Sequence, residues 1–251
     1  MAYGGYLITI MLMALYEKNV TVWMNAADAM LGVGLPVLLF SLVAYSNMYF
    51  NLALSLAVLF QIGYALVRSW LFAPTLALIS SQMLQFYKQL SVGKSLLSIS
   101  AAQMQWVIRI WNDYQAGIWV ALTISAMFLG LLLFNRVSPI PFPVKMIRFP
   151  YPIVYLFIIA LGLSLLHQHN LLGINLLIAL SFMYLLQGTG VLSFFWSDFF
   201  KKAKLLRTLL VMAIILNYPL LVLIAFIGVL DVWFDFRKYN RLEETSESNP
   251  D

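Results

Sequence analysis

LLGINLLIALSFMYLLQGTGVL (Leu171–Leu192) is a run of 22 residues without a charged side chain. An α-helix rises about 1.5 Å per residue, so this run can cross the roughly 30 Å hydrocarbon core of a bilayer. Backbone groups in hydrocarbon must be hydrogen-bonded within their own segment, and the run is continuously apolar instead of alternating. The stretch therefore predicts a transmembrane helix and not a barrel strand.

Similar apolar runs occur on both sides of this stretch. We predict about seven spans in total, at approximately 3–16, 25–45, 48–67, 117–134, 153–166, 171–192 and 205–230. Hydrophobic residues make up 63% of the 251-residue chain and charged residues only 10%, where a soluble domain carries about 25%. Composition and runs together predict an all-α, polytopic helical membrane bundle.

The segment 68–114 differs from these runs because its apolar and polar residues alternate at helical spacing. Leu76, Met83 and Phe86 would share one helix face, opposite Gln82 and Lys88. We expect two amphipathic helices here, lying on the membrane face or over the mouth of the bundle. The chain then divides into N-terminal membrane helices, amphipathic surface helices, C-terminal membrane helices and a disordered acidic tail, at 1–67, 68–114, 115–238 and 239–251.

Basic residues indicate how the bundle is oriented. The loops after the fourth and sixth spans hold seven Lys or Arg residues, whereas the short loops on the other side hold only Lys18. The positive-inside rule places the two basic loops in the cytoplasm and the amphipathic pair outside. Two interpretations of the C-terminus stay open. A single kinked last span leaves it outside, and a break at Pro219 into a re-entrant pair returns it to the cytoplasm.

Several classes of function are excluded by residue type and placement. The chain has no cysteine, and His167 and His169 have no carboxylate close in sequence, so we expect no metal site and no cofactor. Ion-coupled carriers need ionisable groups inside the membrane, yet the charges lie at span ends. The formal charge of +5 is interpreted as loop bases facing anionic lipid, so we expect no nucleic-acid partner.

Asp231 and Asp235 form the densest charge cluster together with Arg237 and Lys238. Two carboxylates four residues apart share a helix face, as a catalytic pair would. No nucleophile or phosphate loop accompanies them, so we expect no enzyme activity. Salt bridges to Arg237 or to the basic loops, which would fix the helix end, are the favoured interpretation.

Four positions within the spans are candidates for ligand binding: Gln61, Gln187, Gly188 and Asn217. A buried amide beside bare glycine backbone can contact a ligand. In the alternative interpretation, the glycine permits close helix packing and the amide cross-links two helices. A ligand would require a closed cavity lined by Gln61, Gln187 and Asn217 beneath the amphipathic pair.

The C-terminal part carries a recognisable pattern. Tyr218-Pro219 precedes a short apolar run and Asp231-Val-Trp-Phe-Asp235-Phe-Arg237-Lys238, while Gln187-Gly188 and Arg148-Phe-Pro150 lie upstream. The pattern resembles the YybS-like family of uncharacterised bacterial integral membrane proteins. Its signature here is Tyr218, Pro219, Asp231, Asp235 and Arg237.

This resemblance implies a multi-pass protein of the bacterial cytoplasmic (inner) membrane, distantly similar to the substrate-binding components of energy-coupling-factor transporters. Those components dock on a membrane partner through an Ala-x-x-x-Ala pattern in an early helix. Ala53 and Ala57 have the spacing here, but in the third span. Family members usually begin with a further basic segment and apolar hairpin, so we expect the start of this chain to be shortened or misassigned.

The sequence thus predicts a non-enzymatic membrane protein that binds, or helps transport, a small uncharged or amphiphilic ligand. The alternative is a scaffold or assembly factor for envelope or division complexes that acts through helix–helix contacts. In both hypotheses the lipid bilayer surrounds the protein and another membrane protein is the expected partner.

Overall fold

The structure is a computed structural model that describes residues 20–47, 50–93, 100–134, 147–196 and 217–237. Within these residues every regular element is a helix, which confirms the predicted all-α bundle. The predicted first span (3–16), the proline-rich stretch 135–146, the basic cluster 201–207 and the tail 239–251 lie outside the described residues.

Seven helices make up the described part of the chain. The first, α1, runs through Val20–Ala27, a π-helical segment at Asp28–Gly34, and Leu35–Asn47. The other six are α2 (Phe50–Leu71), α3 (Ala73–Gly93), α4 (Ala101–Phe134), α5 (Pro152–Leu165), α6 (Asn170–Phe195) and α7 (Tyr218–Phe234).

Four described helices are long and apolar enough to cross a bilayer. They are the Val20–Val43 part of α1, all of α2, the Ala102–Leu133 part of α4, and α6. α5 and α7 are also apolar but have only 14 and 17 residues. Four predicted spans therefore correspond to bilayer-length helices and the fifth to a shorter one, while the last is described only from Asn217 onward.

α6 is the central helix of the described bundle. It packs against α7, α5 and α4, while α4 contacts α2 and α2 contacts α1. Leu180, Met183 and Tyr184 of α6 are at most 1% exposed and share one apolar cluster with Val58 of α2 and Ile124 of α4. Many large apolar side chains on the outward faces are exposed, and lipid tails can cover them because they are as apolar as leucine.

The predicted apolar face of α3 is divided between the bundle and the outside. Met83 and Phe86 are 48% and 63% exposed, whereas Leu76, Ser80 and Tyr87 are buried. The contact with α4 is partly polar, since Ser80 Oγ donates a hydrogen bond to Asn112 Oδ1 at 2.5 Å. The exposed Met83 and Phe86 can lie against lipid, whereas Leu76 packs inside the bundle, so the three residues do not form one lipid-facing surface.

The predicted boundary between amphipathic and membrane helices at residue 114 is not a helix boundary, because α4, which is 34 residues long, runs through it without a break. At this place the Asn175 side chain of α6 accepts a hydrogen bond from the Gly117 N–H and donates one to the Asp113 carbonyl, both at 2.8 Å. A regular helix pairs those two backbone groups with each other. The amide of Asn175 therefore bridges the two halves of α4 and fixes them to α6.

Residues 147–151 and 231–237 meet at one end of the bundle, which we call the signature end. α5 and α6 form an antiparallel hairpin whose turn, residues 166–169, lies at the other end. α7 ends beside the start of α5, where Arg148 pairs with Asp235 at 3.4 Å and Trp233 Nε1 donates to Tyr151 Oη at 3.2 Å. The last helix therefore ends on the same side as the loop after the fourth span, as the re-entrant interpretation requires.

Candidate functional site

Two glycines allow α6 and α7 to cross closely. A Cβ built on Gly188 would collide with the carbonyl oxygen of Ile224, and one on Gly228 would collide with the carbonyl oxygen of Tyr184. Small residues are what permits helix backbones to approach this closely in membranes. Gly188, a candidate for ligand binding, therefore has a packing role in the structure.

Beside this crossing, buried polar groups form a continuous hydrogen-bond network. Asp231 Oδ2 accepts from Gln187 Nε2 (2.9 Å) and from Arg237 Nη2 (2.6 Å). Gln187 Oε1 accepts from the Phe149 N–H (3.0 Å), and Arg237 Nη2 also donates to the Ile147 carbonyl (2.9 Å). Gln187, Asp231 and Arg237 are at most 2% exposed. We call these three side chains, with the Ile147 and Phe149 backbone, the C-terminal clasp.

The backbone at Asp235 makes the clasp geometrically feasible. Asp235 has φ 43° and ψ 55°, the left-handed conformation found just after many helices, and its N–H bonds to the Asp231 carbonyl at 3.1 Å. The chain turns back there, so Arg237 reaches a carboxylate six positions earlier. Aspartate adopts this conformation more readily than most other non-glycine residues.

The clasp corrects the sequence-based placement of charge. The predicted salt bridges are confirmed, since Asp231 pairs with Arg237 and Asp235 with Arg148. However, the Asp231–Arg237 pair is buried, with side-chain exposures of 1% and 0%, instead of lying at a solvated helix end. Removing ions from water costs several kcal/mol each, so such a pair depends on neighbouring donors and acceptors. Gln187 and the Ile147 carbonyl supply them here.

A third ion pair joins α1 to α2 at the end of α2 remote from the clasp. Arg68 donates through Nε and Nη2 to the two carboxylate oxygens of Asp28, at 2.6 and 2.8 Å, and Tyr64 Oη donates to Asp28 Oδ1 at 2.7 Å. The guanidinium also lies 5.5 Å from the centre of the Trp119 ring. Bidentate pairing and cation–π contact both favour arginine over lysine here. The sequence places Asp28 and Arg68 at span ends but does not reveal that they meet.

The structure does not bring the four candidate ligand-binding residues into one pocket. Asn217 caps the start of α7, where its exposed side chain accepts from the Leu220 N–H at 3.4 Å. By helical rise it lies about 21 Å along α7 from Asp231. Gln61 is buried on α2, and its Oε1 has no hydrogen-bond partner among the described residues. Gln187 and Gly188 belong to the clasp and the helix crossing.

The signature residues have a clearer relation to one another. Asp231, Asp235 and Arg237 meet at one place, together with Gln187 and Arg148. Tyr218 and Pro219 instead begin α7, and Pro219 lies in the first helical turn, where its missing N–H costs no hydrogen bond.

Two cavities lie next to these elements. The apolar cavity, about 560 Å³, lies between α5, α6 and α7 and includes Phe157, Leu185 and Phe226 in its wall, and among the described residues Ser181 is its only polar side chain. The polar cavity, about 400 Å³, lies at the signature end and is lined by Asn51, Arg148, Phe149, Pro150, Tyr151 and Val232. Neither cavity is lined by the predicted set Gln61, Gln187 and Asn217.

The structure also shows where the Ala-x-x-x-Ala pair, which was compared with a partner-docking pattern, lies in the bundle. Ala53 and Ala57 of α2 are both 0% exposed and belong to the bundle's apolar core. Their methyl groups are covered by other parts of this chain, so this pair presents no surface to a partner.

Some organising contacts were missed by sequence reasoning. The Arg148 N–H donates to Asn51 Oδ1 at 3.1 Å, and Ile147 and Phe149 enter the clasp only through backbone groups. Every non-proline residue has the same backbone N–H and C=O groups, so contacts through them cannot be inferred from residue type. The available signal was Arg148-Phe-Pro150 in the family pattern, which links this stretch to the C-terminal signature.

A family model described as a predicted membrane protein (DUF2232) matches residues 79–232, more than half of the chain. The chain belongs to the DUF2232 family of predicted membrane proteins. The match includes Gln187, Gly188, the α6–α7 crossing and Asp231, so most of the site lies in the part that defines this DUF2232 protein. No curated protein and no solved structure gives a significant match.

Proposed function

We propose that this protein is a non-catalytic membrane protein that binds an apolar or amphiphilic small molecule in the apolar cavity. The cavity of about 560 Å³ is of the size that holds small ligands, about 300–1,000 Å³. Its wall offers a single hydroxyl, on Ser181. The ligand would therefore have a largely hydrocarbon body and few polar groups. This lining is the observation that carries the proposal.

The helix crossing gives a physical reason for the cavity. Gly188 and Gly228 bring the backbones of α6 and α7 together, and the cavity wall runs from Leu185 and Val229 beside this crossing to Ile174 and Leu221 nearer the N-terminal ends of the two helices. Val222 and Phe226 in its wall are 50% and 59% exposed. A ligand dissolved in the bilayer could then enter sideways, between the helices, without crossing water.

The residue types that line the apolar cavity support a non-catalytic role in this proposal. Within the described part of the chain, no carboxylate, imidazole, amine or guanidinium lines the apolar cavity. The nearest charged groups on α7, Asp231 and Asp235, are engaged with Arg237 and Arg148. A role as a membrane-embedded binding component in the bacterial inner membrane, as the resemblance to YybS-like proteins and energy-coupling-factor components implies, belongs to the same proposal.

A scaffold role is the second candidate, and a small-residue surface on α4 favours it. Ala126 and Gly130 are exposed one helical turn apart, and a Cβ on Gly130 would meet nothing within 4 Å. Small residues at this spacing commonly form helix–helix contacts in membranes. Another membrane helix would pack here in this hypothesis.

Thermal unfolding of the purified full chain in detergent can test the ligand hypothesis against fatty acids, isoprenoid alcohols, quinones and uncharged vitamins. Ala225→Trp places a large ring in the cavity wall, and Leu122→Trp adds the same ring to an exposed position on α4. We expect one ligand class to raise the Tm of the unmodified chain and of Leu122→Trp, but not of Ala225→Trp.

An undiminished response in Ala225→Trp would contradict the proposed site. If no compound raised the Tm, and a co-purifying membrane protein were lost in Gly130→Leu, the scaffold hypothesis would replace it.

A further inference from the structure

We propose that the polar cavity at the signature end is a separate binding site for the phosphate group of an anionic amphiphile, with Arg148 as its main contact. This site does not depend on the apolar cavity, from which it differs in all its lining residues. Its volume of about 400 Å³ can hold a phosphate-bearing headgroup.

The wall of the polar cavity is held in place by contacts on both sides of Arg148. The Arg148 N–H donates to Asn51 Oδ1 at 3.1 Å, and the Phe149 N–H donates to Gln187 Oε1 at 3.0 Å. Ile147 is fixed by Arg237 of the clasp. The non-helical segment before α5 is thus attached to α2, α6 and the end of α7, which preorganises the cavity wall.

The charge at this wall suits an anion. The Arg148 side chain is 23% exposed, and its Nη1 lies 3.4 Å from Asp235 Oδ1, longer than the 2.7–2.9 Å of a strong charge-assisted bond. A guanidinium carries five N–H donors, so it can hold a carboxylate and a phosphate at the same time. Among the described residues, the other acid nearby is Asp231, which is buried with Arg237 and is not in the wall. Of these two acids, Asp235 is the carboxylate that would oppose a bound anion.

Aromatic side chains beside the cavity indicate its depth in the membrane. Tyr151, in the wall, stacks edge-on with Tyr155 at 5.4 Å and accepts from Trp233, and all three are partly exposed. Tyrosine and tryptophan concentrate at the level of lipid headgroups. The exposed Leu156 and Ile159 continue along α5 from this level. A phosphate at Arg148 could thus be joined to acyl chains that lie along α5.

Native mass spectrometry of the full chain, released from mixed micelles with phosphatidylglycerol or phosphatidylcholine, can test the site. We expect saturable binding of phosphatidylglycerol to be roughly tenfold weaker in Arg148→Gln, because a hydrogen bond to a charged group is lost. Arg109→Gln removes the same charge from an exposed position on α4 and should bind as the unmodified chain does. Asp235→Asn should bind more tightly, because the opposing carboxylate is gone while asparagine keeps the left-handed backbone.

Competition with glycerol phosphate distinguishes the two sources of the phosphate. Displacement of phosphatidylglycerol by glycerol phosphate would support a site for the phosphate group alone, and its failure together with saturable lipid binding would support a lipid headgroup site. Equal binding by Arg148→Gln and the unmodified chain would overturn the proposal. Should Arg148→Gln fail to fold, no gain in affinity for Asp235→Asn would overturn it as well.

Discussion

The amide of Gln187 shows, at the scale of a single residue, why side-chain type matters more than polarity at the site. Its oxygen accepts from the Phe149 backbone and its nitrogen donates to Asp231. A carboxylate could not donate, and an apolar side chain could do neither, so an amide is the residue type that satisfies both neighbours. The packing alternative weighed for Gln187 and Gly188 is thus the role that the described contacts show.

Replacing Gly188 tests the closeness of the α6–α7 crossing. Gly188→Ala would push a methyl group into the Ile224 carbonyl, and overpacking of this kind costs roughly 1–3 kcal/mol. We expect a lower midpoint in thermal or denaturant unfolding in detergent. Gly162→Ala on α5 is the matched control, because its Cβ would meet nothing within 4 Å. Equal stability of the two variants would show that the helices are not in backbone contact.

The buried ion pair makes a second prediction at this scale. Asp231→Asn keeps the shape of the side chain but leaves the Arg237 charge uncompensated, which costs roughly 3–5 kcal/mol in buried pairs. Adding Arg237→Met should recover part of that loss, since no unpaired buried charge remains. Asp235→Asn, in the partly exposed pair, should cost about 1 kcal/mol or less. Unfolding free energies of the single and double variants measure this coupling, and strict additivity would count against it.

Helix α4 illustrates what happens at the scale of the element. Its first half is amphipathic and its second half is apolar, and the pattern changes near Gly117. The change in pattern indicates a different environment for the side chains, while the helical backbone continues across the predicted boundary. The bridging amide of Asn175 is contributed by another helix, so no local signal marks it.

Removing that bridge tests whether α6 fixes the middle of α4. Asn175→Leu leaves the Gly117 N–H and the Asp113 carbonyl without their side-chain partner, and we expect a loss of about 0.6–2 kcal/mol, as for other interhelical hydrogen bonds in membranes. Asn170→Leu makes the same change at the exposed start of α6 and serves as control. An unfolding midpoint unchanged in both variants would contradict the role given to Asn175.

At the start of α7 the sequence left two interpretations open, a single kinked span and a break at Pro219. The structure begins α7 at Tyr218, with Asn217 as its cap and Pro219 in its first turn. At the end of α7, the sequence showed only a cluster of charged residues. Arg237 reaches back to Asp231 because Asp235 has a left-handed backbone conformation. A residue other than glycine gives no clear sign of this conformation in the sequence.

At the scale of the whole molecule, hydropathy predicted the helices well because burial in lipid is a local property of a long apolar run. The arrangement of those helices depends on distant residues. Arg237 contacts Ile147 across 90 positions and Arg148 contacts Asn51 across 97. Such pairs cannot be derived from one sequence by spacing, although charge complementarity correctly suggested that Asp235 would pair with a basic loop.

The side on which α7 ends can be measured directly because the chain has no cysteine. Phe236→Cys lies at the signature end, and Gln168→Cys lies in the α5–α6 turn at the other end. We expect a membrane-impermeant maleimide to label Phe236→Cys from the cytoplasmic side and Gln168→Cys from the outside, in inside-out and right-side-out vesicles respectively. Labelling of both positions from the same side would refute the orientation of α7 described here.

The clasp also has a consequence for the order in which this protein is made. Arg237 leaves the ribosome fifty residues after Gln187, which at about 5–20 residues per second is a delay of a few seconds. During that interval α6 is already synthesised, while the Gln187 amide nitrogen still lacks Asp231 and the Ile147 carbonyl still lacks Arg237. The clasp therefore cannot form before α7 and Arg237 are made, and the insertion machinery or surrounding water has to accommodate those groups until then.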